Sequence, residues 1–167
     1  PEDLDYTGKK IVVIGSGATA ITLVPNLADE AEHVTMVQRS PTWVASRPEI
    51  DATALKLRKF LPEKAAYSLT RMKNAFGQQI IYKQSRTSPE KVRAGLVSLA
   101  RKELPKEVVA EHFTASYNPW DERLCLIPDN DLFNAINDGS VSVITNTIER
   151  FTEDGLELTG GELLEAQ

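Results

Sequence analysis

Residues Ile11 to Ala20 read IVVIGSGATA, four apolar residues running straight into Gly-Ser-Gly. The hexapeptide Gly15-Ser16-Gly17-Ala18-Thr19-Ala20 fits the pattern G-x-G-x-x-A, and each small position has a physical job. Gly15 permits a tight turn out of a strand. Gly17, with no side chain, lets a pyrophosphate approach the backbone, and Ala20 lets a following helix pack closely on a sheet. The first free N–H groups of that helix would face the phosphates, with the helix dipole adding about 0.3–1 kcal/mol. Ser16 and Thr19 can donate hydroxyl hydrogen bonds, and Ala18 opens the helix. Alone, such a motif equally describes a plain strand-turn-helix junction; its context decides.

That context is a βαβ unit. Lys9 to Ile14 reads as a buried strand, a short apolar run ended by glycine. Ala20, Leu23, Val24, Leu27 and Ala31 recur at helical spacing, which predicts a helix over about 18–31, with a kink at Pro25. HVTMVQRS then supplies a β-branched strand at 34–39. Strand, glycine turn, helix and strand in succession predict a dinucleotide site.

The end of that second strand bears on which dinucleotide. An NAD site usually places Asp or Glu there, accepting hydrogen bonds from the ribose 2′-hydroxyl. This chain has Gln38, Arg39 and Ser40 instead. Arg39 can form a charge-assisted fork to a 2′-phosphate, and Ser40 can donate beside it, which favours NADPH. The alternative is that Arg39 is a solvated strand-end cation.

The rest of the chain reads more coarsely. SPTWVASRPEID reads as a loop with two prolines. From Ala52 to about Glu111 the pattern is helical, with Pro62, Pro89 and Pro105 as breaks and Ala65, Leu69, Met72, Phe76 and Ile80 as one apolar stripe. A polar, aromatic loop precedes a short helix near 130–138, to be capped by Asp129 or Asn130 and stopped by Gly139. A strand at 141–146 leads into a meander with turns at Asp154-Gly155 and Gly160-Gly161. The expected fold class is therefore α/β: a Rossmann-like domain from residues 1–47 and 126–167, interrupted by a helical insertion over 48–125.

Composition narrows the function. The 167 residues are 41% hydrophobic and 26% charged, ordinary for a globular domain, and no apolar run suggests a membrane span. The single Cys125 rules out an internal disulfide or a Cys-x-x-Cys pair, and with no signal-peptide pattern the expected compartment is cytoplasmic. His33 and His112 have no metal-ligand spacing around them, so no metal site is expected. The net charge of -5 hides an asymmetry: residues 56–106 hold 13 Lys or Arg against 3 acidic residues. Such a block can signal nucleic acid or an anionic membrane. Lacking the aromatic interleaving of a base-stacking surface, it reads as solvated helices facing acidic protein elsewhere; nucleic acid is not expected, and membrane association is possible but not favoured.

Three segments together carry a resemblance: DYTGKKIVVIGSGATAITLVP, VTMVQRSPTWVASRP and YNPWDERLCLIPDNDLF. They resemble the NADPH domain of flavin-dependent Baeyer–Villiger monooxygenases, most of all the branch that activates thioamide prodrugs. The resemblance implies that the glycine turn holds the NADPH pyrophosphate and that Arg39 and Ser40 hold the 2′-phosphate. The family carries a Lys-Arg pair after its helical region; the matching positions here are Glu122 and Arg123. Arg123 is thereby implied as the catalytic residue, a guanidinium that stabilises a flavin C4a-peroxide, whereas Glu122 departs from the lysine expected to help at the 2′-phosphate. The alternative for Arg123 is a structural ion pair with Asp121 or Glu122.

By the same resemblance the whole enzyme would use NADPH, FAD and O₂ to insert oxygen into a lipophilic ketone or to oxidise sulfur. The FAD domain of the same polypeptide would be the chief partner. Neither the FAD glycine motif nor the family's F-x-G-x-x-x-H-x-x-x-W-P fingerprint lies in the chain, unless Pro1 is the last residue of the latter. The 167 residues are therefore expected to be an excised domain, inactive alone. A flavin N-oxygenase and a non-catalytic NADP-binding, redox-sensing module are the competing readings. Trp43, Trp120, Tyr117 and Phe113 could line a substrate pocket, but core or interdomain packing is the favoured role.

Overall fold

A computed structural model describes residues 4–166; Pro1, where the fingerprint could have ended, lies outside them. The architecture is mixed α/β. Strand β1 (Lys10–Ile14) leads through the glycine turn into helix α1 (Ala18–Ala28), which returns to β2 (His33–Gln38). β1 and β2 pair in parallel, Ile11 opposite Val34 and Ile14 opposite Val37. Strand β5 (Val141–Thr145) pairs in parallel on the other side of β2, giving the order β1-β2-β5. β2 is thus the central strand, and Val34, Met36 and Val37 on it are buried.

β1 is less buried than its apolar run predicts. Every residue in it is partly exposed, and Ile14 is largely so. Among the described residues β1 is an edge strand, with no second strand hydrogen-bonded to it, and Lys10 reaches Glu165 of the C-terminal meander at 2.7 Å. α1 runs through Pro25 and stops at Ala28, three residues early, where the N–H groups of Glu30 and Ala31 both turn back to the Leu27 carbonyl.

The segment expected as a proline-bounded loop contains a strand. β3 (Trp43–Arg47) pairs in parallel with β4 (Leu124–Pro128), which lies within the segment expected as an aromatic loop. The partners stand some eighty residues apart in sequence, so neither short run could betray the other. Between them come the helices α2 (Ala52–Phe60), α3 (Glu63–Thr87), α4 (Pro89–Glu103) and α5 (Lys106–His112). Pro62 and Pro105 stand just before α3 and α5, and Pro89 opens α4; each occupies a helix start, where its missing N–H costs no intrahelical bond. Trp43 roots the helices to β3: its indole Nε1 donates to the Tyr117 carbonyl at 2.8 Å, and the Arg93 guanidinium of α4 lies 5.8 Å from its ring centre.

Helix α6 (Asp131–Asp138) starts where expected, though without a side-chain cap. Asn130 adopts the left-handed conformation, and the Asp129 carboxylate accepts from the Glu49 N–H at 3.3 Å. Gly139, at φ 85°, ends the helix as expected. Phe133 of α6 meets Phe113 edge-on at 5.4 Å inside a core shared by α1, α4, α5, α6 and the β1-β2-β5 sheet. The C-terminal meander forms as expected from β6 (Ile148–Thr152), β7 (Gly155–Leu158) and β8 (Leu163–Glu165), all antiparallel.

Candidate functional site

The C-terminal ends of three parallel strands meet at one cavity of about 290 Å³. β1 contributes Ile14 and the turn residues Gly15 and Ser16; beyond β2 come Arg39 and Ser40; beyond β5 come Asn146 and Thr147. Arg123, from the residues just before β4, closes the set. Ligands of open parallel sheets bind at this end, where successive loops diverge. Five residues singled out from sequence (Gly15, Ser16, Arg39, Ser40 and Arg123) therefore share one hollow.

The turn has the expected geometry, with the two glycines doing different work. Gly15 sits at φ 111°, a conformation that side-chain-bearing residues rarely adopt. Its N–H donates to the Val37 carbonyl at 2.7 Å, locking the turn onto β2. Gly17 has φ −74°, which any residue accepts; it stands at the N-terminus of α1, and a Cβ placed there meets nothing within 4 Å. Its lack of a side chain matters only for what approaches from outside. No side chain caps α1, so the first-turn N–H groups keep their donor capacity.

Ser16 is used differently from the expectation. It is buried, and its Oγ lies 2.9 Å from Thr42 Oγ1. Thr42 Oγ1 in turn accepts from Arg123 Nε at 3.2 Å. A chain Ser16–Thr42–Arg123 thus ties the glycine turn to the arginine through a buried threonine. Thr42 was not legible as a site residue, because its partners lie 26 and 81 residues away. The Arg123 backbone carbonyl also accepts from Tyr117 Oη at 3.2 Å. Arg123 is not the ion-pair partner of Asp121: that carboxylate pairs with Arg86 of α3, which holds it below the usual carboxylate range. Within the described residues the terminal guanidinium nitrogens of Arg123 make no hydrogen bond to protein.

Arg39 and Ser40 are exposed at the cavity rim, and Arg39 makes no ion pair among the described residues. Gln38 beside them is buried, donating from Nε2 to the His112 carbonyl at 2.8 Å and to Thr145 Oγ1 at 3.0 Å. It fixes the strand end from which Arg39 projects. Ala18 and Thr19 border a shallow groove on α1 rather than the cavity, and Ala20 is buried. Asn146 and Thr147 were missed; their signal was their place just beyond the third parallel strand. Glu122 is exposed and does not line the cavity.

The aromatic candidates separate. Trp43 and Phe113 are core, and Tyr117 supports Arg123. Only Trp120 borders a second, apolar cavity of about 620 Å³, between α3, α4 and the β3–β4 pair. Cys125 is buried, and that burial pushes its thiol up. No group of three or more metal-ligating side chains occurs among the described residues, and none of their helices is long and apolar enough to cross a membrane.

No protein-family model matches the chain. It is 53% identical over 168 residues to the FAD-containing monooxygenase EthA of Mycobacterium tuberculosis. It is 54% identical over 167 residues to the probable FAD-binding monooxygenase AlmA of Acinetobacter baylyi. Both alignments take in 99% of this chain but 34% of the relative, so the chain spans about a third of the length of the curated relatives it matches. Among solved structures, that of OTEMO in complex with FAD and NADP superposes with a TM-score of 0.67 at 19% identity, over 99% of this chain and 38% of that one. The chain is thus a homologue of one segment of FAD-containing monooxygenases, and it shares its fold with part of a larger flavoprotein.

Proposed function

We propose that this chain is the NADPH-binding segment of an FAD-dependent monooxygenase of the Baeyer–Villiger type, which oxygenates ketones or oxidises sulfur. The observation that carries the reading is the shared cavity: the glycine turn, Arg123 and an Arg39 without an ion pair among the described residues all border it, and α1 starts at the end of that turn with no side-chain cap. The parallel order β1-β2-β5 supports a Rossmann-like core built from residues 1–47 and 126–167, with 48–125 as a helical insertion hung on the β3–β4 pair.

The residues fit the cofactor. The open space beside Gly17 leaves room for a pyrophosphate at the start of α1, where the N–H groups and dipole favour anions. Arg39 would fork onto the 2′-phosphate with Ser40 donating beside it. An acidic residue, which would repel that phosphate, is missing from this position. Arg123, restrained through Nε and its own carbonyl, would present a fixed positive charge to the reaction centre, electrostatic help that needs no reorganisation during the reaction. When bound, FAD supplies the oxygen-transfer chemistry, and the protein's task is orientation. The whole protein would take O₂ and a lipophilic ketone or sulfur substrate, with the FAD-binding part of the same polypeptide as partner.

Titration of the full-length protein with NADPH and NADH tests the cofactor reading. Arg39→Ala should weaken NADPH about ten- to a hundredfold, from roughly 1.5–3 kcal/mol for a hydrogen-bonded charge, and leave NADH unchanged. Equal affinity for the two cofactors, untouched by the substitution, would overturn it.

A further inference from the structure

Two of the loops that border the cavity leave from residues locked to one another. Arg39 follows Gln38, the last residue of β2, and Asn146 follows Thr145, the last residue of β5. The other buried residues of β2 are apolar, so an amide enclosed at its end costs desolvation unless its donors are paired. Both are paired: Nε2 donates to the His112 carbonyl at the end of α5 and to Thr145 Oγ1. The Thr145 hydroxyl hydrogen then has two acceptors in range, His112 Nδ1 at 2.8 Å and the Glu111 carbonyl at 3.5 Å. The shorter contact assigns it to Nδ1 of a neutral ring, and burial, which lowers the His112 pKa, favours that form.

The lock extends into the loop beyond β5. The Asn146 N–H donates to the Gln38 carbonyl at 2.9 Å. Its side-chain Oδ1 accepts from the Thr147 N–H at 2.7 Å, and Nδ2 donates to the Thr159 carbonyl at 3.2 Å. Gln38, Thr145 and His112 do not line the cavity themselves, yet both Arg39 and the Asn146–Thr147 loop, which do, issue from them. A leucine at position 38 would serve packing alone. The amide instead joins three chain ends, one of them the last helix of the insertion.

We infer that Gln38 and Thr145, braced by His112, are positioning residues for cofactor selectivity. They fix Arg39 against the Asn146–Thr147 loop, so that the guanidinium meets the 2′-phosphate in the geometry a charge-assisted fork requires. The inference rests on the cofactor reading of Arg39 and adds to it that selectivity is set from the ends of α5 and β5.

Titration of full-length variants with NADPH and NADH tests it. Thr145→Val keeps the shape but loses the hydroxyl; it should weaken NADPH about fivefold and leave NADH nearly unchanged. Thr145→Ser should restore NADPH binding. In an Arg39→Ala background Thr145→Val should weaken NADPH no further, because the group it positions is gone. Gln38→Leu, with native circular dichroism, should act in the same direction; if that variant does not fold, the Thr145 pair decides alone. Equal losses for the two cofactors, a serine variant that fails to restore binding, or full additivity with Arg39→Ala would overturn the inference and leave the role of Arg39 intact. A parent protein whose NADPH affinity ignores Arg39→Ala would overturn the cofactor reading, and this inference with it.

Discussion

At the scale of single residues, the site depends on a few groups that hold others still. Thr42 is the clearest case: buried, it meets Ser16 on one side and Arg123 on the other. Its hydroxyl positions the arginine without reaching the cavity. Thr42→Val in the full-length protein should cut kcat for the proposed oxygenation about tenfold, the worth of roughly one hydrogen bond to a charged group, while the KM for NADPH changes less. Thr42→Ser, which keeps the hydroxyl, should restore most of the rate. Parallel loss of rate in the valine and serine variants would assign Thr42 to packing alone. Gly15 and Gly17 were readable as a pair, but their separate reasons were not. One relieves the backbone at φ 111°, and the other leaves room for a neighbour. Thr42 gave no signal, because a threonine in a Pro-bounded segment looks the same whether or not an arginine folds back onto it.

At the scale of elements, α2 is tethered by its first cap. The Asp51 carboxylate accepts from the N–H groups of Thr53 and Ala54, and Lys73 Nζ of α3 reaches it at 2.7 Å. The Lys73 ammonium, with the Ala54 N–H, holds the Asp51 carboxyl at about 2, below its ordinary 3.8. Because the folded-state value is depressed, this contribution is complete above pH 4 and is lost as pH falls from about 4 toward 2. Asp51→Asn should therefore flatten the pH dependence of helical content in that window, read by circular dichroism. A variant that loses helix over the same window as the parent would show that the cap and its lysine contribute nothing. The helices and the meander were legible from prolines, glycines and spacing. β3 and β4 were not, since each is five residues long and becomes a strand only by pairing with the other.

At the scale of the whole molecule, the described residues leave the two outer edges of the β1-β2-β5 sheet without a strand partner and one helix face open. β1 has a hydrogen-bonded strand on one side only, and Ile14 at its end is 54% exposed. The relatives of this chain are about three times longer, and the proposed role assigns flavin binding to the rest of the polypeptide. The full-length protein should accordingly purify with bound flavin, visible in its absorbance, and NADPH should bleach that absorbance. A full-length protein without flavin, whose oligomeric state responds to NADPH, would instead be a redox-sensing module.

What the sequence determined by itself was local: a glycine turn between strand and helix, an arginine where an acid would mark NAD, proline-punctuated helices and a closing meander. Each of these depends on near neighbours in the chain, through backbone conformation or helical spacing, so a single sequence displays it. Only the tertiary structure decided that Arg39 and Arg123, 84 residues apart, border one cavity, that Thr42 links turn to arginine, and that the apolar stripe of α3 faces outward. Those outcomes depend on which distant segments pair and on which surfaces then remain uncovered, and residue order alone encodes neither in any short window.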